Sequence, residues 1–411
     1  MGLRICLLCY RGNPYCGGQG IYSKYIAEEL QRQGHDIHVI IGPPYPVFAK
    51  GITIHKIHNN EYFIKKGDSV INKHDPFDIF KLINFYEFTS SRAGVFPEIR
   101  SFSIRAYLKL QKLLNKFEFD IIHDNQCLGY GLLLMKSTGI PVVATIHHPL
   151  SIDLQTVIPK ASTFQDAFKI VMFYPILMQK IVSKRLDHII AVSENSKKNN
   201  NLFFSIPMEK QTVVYNGIDT KIFKPMKGII KKKGKILFVG NTLDDKKGFP
   251  YLAKAVKNLN KNLNVTVVDI SSKTIQKMIN KLGAGNKIHF TGKLTLDELV
   301  HHYNEAEIVV VPSVYEGFGF PAAEAMACGT PVIASDGGAL PEVVGNAGIV
   351  IQARNSDMLA EAVNSLASDS RARKKMCEYG FERVKQLFTW EKAVSKMTDV
   401  FSRSIHGLNR S

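Results

Sequence analysis

Short, solidly apolar runs recur along the chain, separated by segments of helical period. Arg4 to Tyr10, Ile37 to Ile41, Lys235 to Val239, Val265 to Val268 and Ile308 to Val311 have the near-continuous apolarity of strands covered on both faces. Ile21 to Gln33 reads as a helix that stops at Gly34, and Phe249 to Leu259 as another. A glycine-bearing loop stands between strand and helix each time: Gly17-Gly18-Gln19-Gly20 in the first half, Gly240 to Gly248 in the second. Both halves therefore open β–loop–α–β, the pattern of parallel doubly wound sheets. The expected fold class is α/β with two Rossmann-like domains, residues 1–219 and 235–390. A linker over 220–234 carries Pro225, two glycines and the run Lys231-Lys232-Lys233, and reads as an exposed hinge.

The stretch from Val311 to Ala334 carries the densest chemistry. A buried strand ends at Val311, and a loop with Glu316, Gly317, Phe318 and Gly319 follows. Pro321 opens a helix that contains Glu324, and Gly329-Thr330-Pro331 stops it. Strand, glycine loop and helix N-terminus form an anion site, because bare N–H groups converge there and the helix dipole favours negative charge. Two carboxylates in one motif raise the question of a hydrolase pair. Eight residues at about 1.5 Å rise separate Glu316 from Glu324 by roughly 12 Å if helical, and by more if extended. Glycosidase pairs need about 5–5.5 or 6.5–9.5 Å. The spacing suits two groups that grip different parts of one elongated ligand.

A second cluster lies in the first half. The apolar run Pro141 to Ile146 is a strand with His147 and His148 at its C-terminal end, the edge at which open α/β sheets bind ligands. The strand before it ends in His123, Asp124 and Asn125. A dinucleotide site fits poorly: Gly17-Gly18-Gln19-Gly20 is not G-x-G-x-x-G, and Ile40-Ile41-Gly42-Pro43 offers no acid for a ribose.

The Glu316–Glu324 run resembles the E-x7-E motif of retaining glycosyltransferases of the GT-B fold, family 4, and the resemblance extends from Arg4 to about Trp390. It implies two Rossmann-like domains facing a cleft, with a C-terminal helix (391–411) packed back on the first, acceptor-binding domain and a second domain that binds the nucleotide sugar. It implies that Glu316 lies against the donor sugar and Glu324 binds the ribose hydroxyls. It further implies donor contacts from Gly17, Gly18, Asn241, Lys246, Lys247, Gly292, Gly317, Phe318 and Gly319. The catalytic set would be His147, Lys247 and Glu316, with His123, Asp124 and His148 on the acceptor side and His148 the second choice to His147. The family usually has an Arg soon after the first Gly of the 240–248 loop and a Lys before the last. Lys247 matches the Lys, no Arg is present, and Lys246 is the candidate for the second charge. Where many members have G-D-G, this chain has Asp269-Ile270-Ser271-Ser272. The resemblance implies neither metal nor cofactor, and no D-x-D motif stands out.

Composition narrows the rest. A length of 411 residues suits two domains, and 22% charged with 45% apolar residues argues against disorder. No secretory signal and no apolar run near the ~20 residues of a spanning helix is visible. Six cysteines are scattered, and Cys6 and Cys9 sit three apart in one strand, on opposite faces, so neither a redox pair nor a metal clip is expected. The net charge of +17 is shared by both halves. No nucleic-acid motif accompanies it; an anionic donor, an anionic membrane surface and plain lysine solvation all account for it. Two segments bear on the membrane. Arg105, Lys109, Lys112 and Lys116 recur along one helical face, and Phe168 to Ser183 is an apolar helix.

The expectation is a hexosyltransferase that moves sugar from a UDP- or GDP-sugar to a glycan, lipid or small-molecule acceptor, by a metal-independent front-face mechanism. The alternative is a GT-B protein that binds nucleotide sugar with reduced or lost transfer. The expected place is the cytoplasm, with a peripheral seat on the inner face of the membrane left open and no nucleic-acid partner.

Overall fold

The computed structural model describes residues 2–12, 18–58 and 81–408. The chain forms two compact units. One comprises Met1–Val192, Ser196–Val214 and Val394–Ser411; the other comprises Ser193–Asn195 and Tyr215–Ala393.

The first unit is built on seven parallel strands: β1 Arg4–Cys9, β2 Asp36–Ile41, β3 Thr53–Lys56, β4 Ile121–Asn125, β5 Val142–Ile146, β6 His188–Ala191 and β7 Gln211–Val213, in spatial order 3-2-1-4-5-6-7. The second has six: β8 Lys235–Val239, β9 Asn264–Val268, β10 Ile288–Phe290, β11 Ile308–Val311, β12 Val332–Ser335 and β13 Gly348–Ile351, in order 10-9-8-11-12-13. Both are doubly wound, as the apolar runs predict. Residues Ile5 to Cys9 and Ile308 to Val311 are buried throughout because helices cover both faces of each sheet. Ile5 pairs with both Ile37 and Ile121, and Ile308 with Ile236, so the first strand of each unit is central. The winding reverses beside that strand, between β1 and β4 and between β8 and β11. Ligands of such sheets bind outside the strand ends at this point.

Three local expectations change. The first helix is Gly18–Arg32, so Gly18, Gln19 and Gly20 belong to it rather than to a loop. First-turn N–H groups have no intrahelical partner, so helix propensity weighs least there. Gly17 lies outside the described residues. The predicted helix Phe249 to Leu259 is an α-helix over Phe249–Ala255 followed by a tighter turn, Val256–Asn258. Lys231, read as part of an exposed hinge, is instead tied down. Its ammonium donates to the Asn304 and Ala306 carbonyls at 3.3 and 3.1 Å and to the Thr330 hydroxyl at 2.7 Å. It answers the bare carbonyls that end the helix Leu296–Glu305. Lys232 pairs with Glu305 at 2.7 Å.

Candidate active site

In the second unit, the loops after β8 and β11 meet at the switch point. Asp244 accepts from the Lys246 N–H and caps a tight turn, Asp245–Lys247. Gly248 closes the turn with φ 70°, and a Cβ there would stand 1.9 Å from the Pro312 carbonyl. Only glycine allows the loop to lie this close to the strand end. The Lys246 carbonyl accepts from Val314 N–H at 2.7 Å, which joins the two loops. The Lys247 ammonium consequently reaches Glu316 Oε1 at 2.8 Å, and the Ser313 hydroxyl donates to the same oxygen at 2.8 Å. Asp269, at the departure from G-D-G, has a job of its own: its carboxylate accepts from the Thr242 N–H and hydroxyl, both at 2.7 Å, and pins the loop.

Gly319, with φ 102°, caps the helix Phe320–Ala327, and a Cβ on it would meet Leu340 at 2.7 Å. In the first turn of that helix Pro321 carries no N–H, and Ala322 and Ala323 donate to the Gly319 carbonyl at 3.1 and 3.3 Å, so the turn offers a ligand mainly the positive end of the helix dipole. Glu324, half-buried, accepts from the Tyr303 hydroxyl at 2.7 Å through Oε2. Burial pushes its carboxyl up to about 7, against the opposing pulls of the Tyr303 hydrogen bond and the Lys247 charge. Phe318 is buried against Tyr215, Phe320 and Phe388, so it offers a ligand its backbone. The Gly317 carbonyl accepts from the Ser193 hydroxyl at 2.7 Å. Asn241 turns its side-chain oxygen to the Leu243 N–H, and Gly292 has φ 80° with its N–H on the Asp269 carbonyl. The structure therefore brings Lys247, Glu316 and Ser313 into direct contact. It gives no direct bond between Glu316 and Glu324.

In the first unit, the same topological place holds a neutral network. Asn125 ends β4 and donates to the Ser23 hydroxyl of the first helix at 2.6 Å. Its side-chain oxygen lies 2.8 Å from His147 Nε2, and the Tyr22 ring stands edge-on to the imidazole at 4.7 Å. Gln126, held with φ 52°, accepts from the His147 N–H at 2.5 Å and donates to the His148 carbonyl at 2.6 Å. One side chain thus fixes the backbone on which both histidines ride. His148 turns away to Asp153 at 3.0 Å. His147, half-buried, has its pKa lowered to about 3 by burial and by the neighbouring His148 and His123. It is a neutral hydrogen-bonding group at working pH.

His123 and Asp124 are fully buried. His123 lies 2.8 Å from the Thr145 hydroxyl with its ring 5.3 Å from Phe401, and burial lowers its pKa to about 3. Asp124 accepts from the Leu128 N–H at 3.0 Å, and burial raises its carboxyl to about 7. Neither exposes surface, so any part they play on the acceptor side runs through the groups they hold. The supports that sequence reading passed over are Ser313, Tyr303, Gln126 and Asn125's bridging amide. Polar residues of common type at strand ends carry no signature until the sheet order shows what they face. Among the described residues, no three His, Cys, Asp or Glu side chains converge as a metal site.

Two doubly wound parallel units, with a glycine loop, a lysine and a strand–loop–helix acid motif at one switch point, define a GT-B glycosyltransferase. The chain belongs to glycosyltransferase family 4: residues 16–222 match the family described as Glycosyltransferase Family 4, and residues 219–383 match Glycosyl transferases group 1. It is 32% identical to the MMP alpha-(1->4)-mannosyltransferase of Mycolicibacterium hassiacum over 98% of both chains. It is 26% identical to an uncharacterised glycosyltransferase of Methanocaldococcus jannaschii over 99% of this chain and 100% of that one. Sucrose-phosphate synthase from Thermosynechococcus elongatus shares the fold, with TM-score 0.75 at 20% identity over 98% of this chain and 100% of that one. The Anabaena protein HepE, solved in complex with UDP and glucose, shares it with TM-score 0.68 at 18% identity over 97% and 99%.

Proposed function

We propose that this enzyme is a retaining hexosyltransferase that draws on a UDP- or GDP-sugar, needs no metal or cofactor, and delivers the sugar to a hydroxyl of a glycan, lipid or small-molecule acceptor. The observation that carries this reading is the Lys247–Glu316–Ser313 cluster beside the helix that bears Glu324. Lys247 would stabilise the diphosphate as its charge develops on leaving, with the positive end of the Phe320–Ala327 helix dipole adding to the field. Glu324 would hold the ribose hydroxyls, and the backbone of Gly317 to Gly319, with Asn241, Lys246 and Gly292, the remainder of the donor. Glu316 bears on the mechanism. One of its oxygens is already engaged by an ammonium and a hydroxyl, which dulls it as a nucleophile, so a double displacement through Glu316 is disfavoured. Front-face attack, with the leaving phosphate taking the acceptor proton, asks of Glu316 only that it position the sugar. His147, being neutral, suits a sugar or acceptor hydroxyl better than a phosphate, with His148 beside it and His123 and Asp124 behind. The relative of Mycolicibacterium hassiacum is named for an α-linked mannosyl transfer, which is retention if its donor is α-linked.

The test is transfer from UDP- and GDP-sugars to a panel of glycan and lipid acceptors in the presence of a chelator, with the product's anomeric coupling read by proton NMR. An α-linked product from an α-linked donor is expected. A β-linked product would overturn retention, and activity lost with the chelator would overturn metal independence. Tight nucleotide binding with neither transfer nor donor hydrolysis would favour the binding-only alternative, which the missing Arg of the 240–248 loop keeps in play.

We also propose a peripheral seat on the inner face of the membrane, as a cytoplasmic protein. Among the described residues, no helix is long and apolar enough to cross a membrane. The basic stripe predicted on the helix Glu98–Leu114 is weaker than it reads, because Arg105 pairs with buried Glu87 at 2.7 Å and with Asn84. The apolar helix expected over Phe168 to Ser183 is broken at Tyr174 and Pro175 into Phe164–Phe173 and Ile176–Arg185, and the first of these supports the seat instead. None of its residues is buried, Phe164 and Phe168 are 86% and 58% exposed, and Val171 and Met172 are exposed beside Lys169. Vesicles containing phosphatidylglycerol should retain the wild-type protein and release Phe164→Ser/Phe168→Ser; equal retention would reject this face.

A further inference from the structure

The excess positive charge is not spread evenly. Residues 249–296 contain eight lysines and one acid, Asp269, and Asp269 is committed to Thr242. Three of those lysines, Lys273, Lys277 and Lys281, line the exposed side of the helix Lys273–Lys281 over about 12 Å, while Ile275 and Ile279 bury the other side in the core. Lys254, Lys257 and Lys261 project from the neighbouring segment that leads into β9. All six are exposed, and among the described residues none forms an ion pair. Asp357 and Glu361 line a separate groove with Asn258.

A groove of about 490 Å³ takes one lysine from each row, Lys257 and Lys281, and is lined also by Lys287, Asn280, Asn286 and Gly283, with Val256 and Leu282 as its apolar members. Lys287 is anchored by the carbonyls of Leu259 and Asn260 at 2.7 and 2.9 Å. The lining segments precede β9 and β10, so the groove sits at the N-terminal edge of the second sheet. Lys247, Glu316 and Glu324 follow strands and stand at its C-terminal edge.

We infer that this groove is an exosite for an anionic glycan chain, one that bears carboxylates or phosphates along its length. Unpaired lysines at helical spacing supply repeated cationic contacts, and a local field of one sign concentrates a polyanion. The groove's amide side chains and bare glycine backbone match sugar hydroxyls. Its lining holds no aromatic ring on which a nucleobase could stack. Its apolar members, buried Val256 and half-buried Leu282, give a bilayer no exposed anchor. The choice of a glycan rests on the chain being a glycosyltransferase, not on the donor assignment above. An exosite remote from the donor groups would hold a growing or neighbouring charged chain while leaving turnover on small acceptors alone.

The test is binding of labelled oligogalacturonate to the full chain, followed by fluorescence anisotropy across a salt series. Affinity should fall steeply as salt rises. Lys257→Ala/Lys277→Ala/Lys281→Ala should weaken it by about tenfold or more, with nucleoside diphosphate affinity unchanged as the check on folding. A neutral maltodextrin of equal length should not bind the groove. Equal affinity of wild type and triple variant would overturn the proposal. Tighter lysine-dependent binding to polythymidylate or to phosphatidylglycerol vesicles than to oligogalacturonate would overturn the glycan as occupant.

Discussion

The switch points of the two units are the same place in the same topology, yet their chemistry is opposite. Between β8 and β11 an ammonium meets a carboxylate: Lys247 and Glu316 at 2.8 Å, with a second acid, Glu324, on the helix that follows. Between β1 and β4 an amide bridges a hydroxyl and an imidazole: Asn125 with Ser23 and His147, all uncharged. The difference matches the two kinds of substrate proposed above. A nucleotide sugar carries fixed charge and gains more on leaving, so its site needs charged groups that are poised before it arrives. An acceptor hydroxyl carries none, and a charged residue beside it would have to be desolvated for little return. Neutral, crosslinked hydrogen-bonding groups hold it better.

The sharpest way to break this comparison is to truncate one member of each site. Lys247→Ala should cut turnover by about a hundredfold, in the range for losing one preorganised stabiliser of developing charge, and should change donor affinity much less. His147→Ala should abolish most transfer while nucleoside diphosphate affinity stays at the wild-type value, because no donor phosphate depends on a neutral imidazole. Steady-state kinetics with calorimetry on both variants separates the two effects. If His147→Ala weakens nucleotide binding as much as transfer, the division of labour fails. A fully active His147→Ala enzyme would move the role to His148.

A smaller effect, confined to binding, is expected at the helix. Glu324→Ala should cost about 1.5–3 kcal/mol of nucleotide affinity, the usual worth of hydrogen bonds to a charged group. It should leave Tyr303, now without its acceptor, as the main structural casualty. Calorimetry that finds unchanged affinity in a folded variant would remove Glu324 from the ribose.

Much of this was legible from sequence, for a physical reason. Strands covered on both faces must be apolar throughout, so β1, β8 and β11 stand out as runs, and a loop that turns from such a strand into a helix needs glycine where backbone approaches backbone. Gly248 and Gly319, both with positive φ and no room for a Cβ, show that requirement. Glu316 and Glu324 were visible within that frame, and the resemblance to family 4 added Lys247 to them. Their supports were not. Tyr303 and Asp269 are ordinary polar residues whose partners, Glu324 and Thr242, come from other elements, and that long-range order is not encoded in periodicity; Ser313 meets Glu316 only three residues away, through a loop conformation that periodicity does not encode either. The burial of His123 and Asp124 was hidden for the same reason. Both read as strand-end polar groups, and only the packing of Phe401 and the loop through Leu128 shows that β4 carries them inside. Lys231 misled in the opposite direction, since a lysine run looks solvated until three oxygens are found around one of its members.

The finest test of the charged site is its pH dependence. Burial holds the Glu324 carboxyl up to about 7, whereas Tyr303's hydroxyl favours the ionised form. Ribose hydroxyls bound as proposed would donate to a carboxylate, so the ionised form would be the one that binds. Affinity for a nucleotide sugar should then be full above pH 7 and fall by about tenfold for each unit below it. The pyrophosphate diester of the donor does not titrate near neutrality, so the change belongs to the protein. Tyr303→Phe removes the hydrogen bond that stabilises the carboxylate, and the midpoint should move upward by about one unit. The sign matters more than the size. At pH 7 the variant should bind more weakly than wild type, and at a pH well above both midpoints the two should converge. A variant that is weaker by the same factor at every pH would show that Tyr303 only shapes the pocket. A midpoint that stays put would mean that the titration lies elsewhere than Glu324.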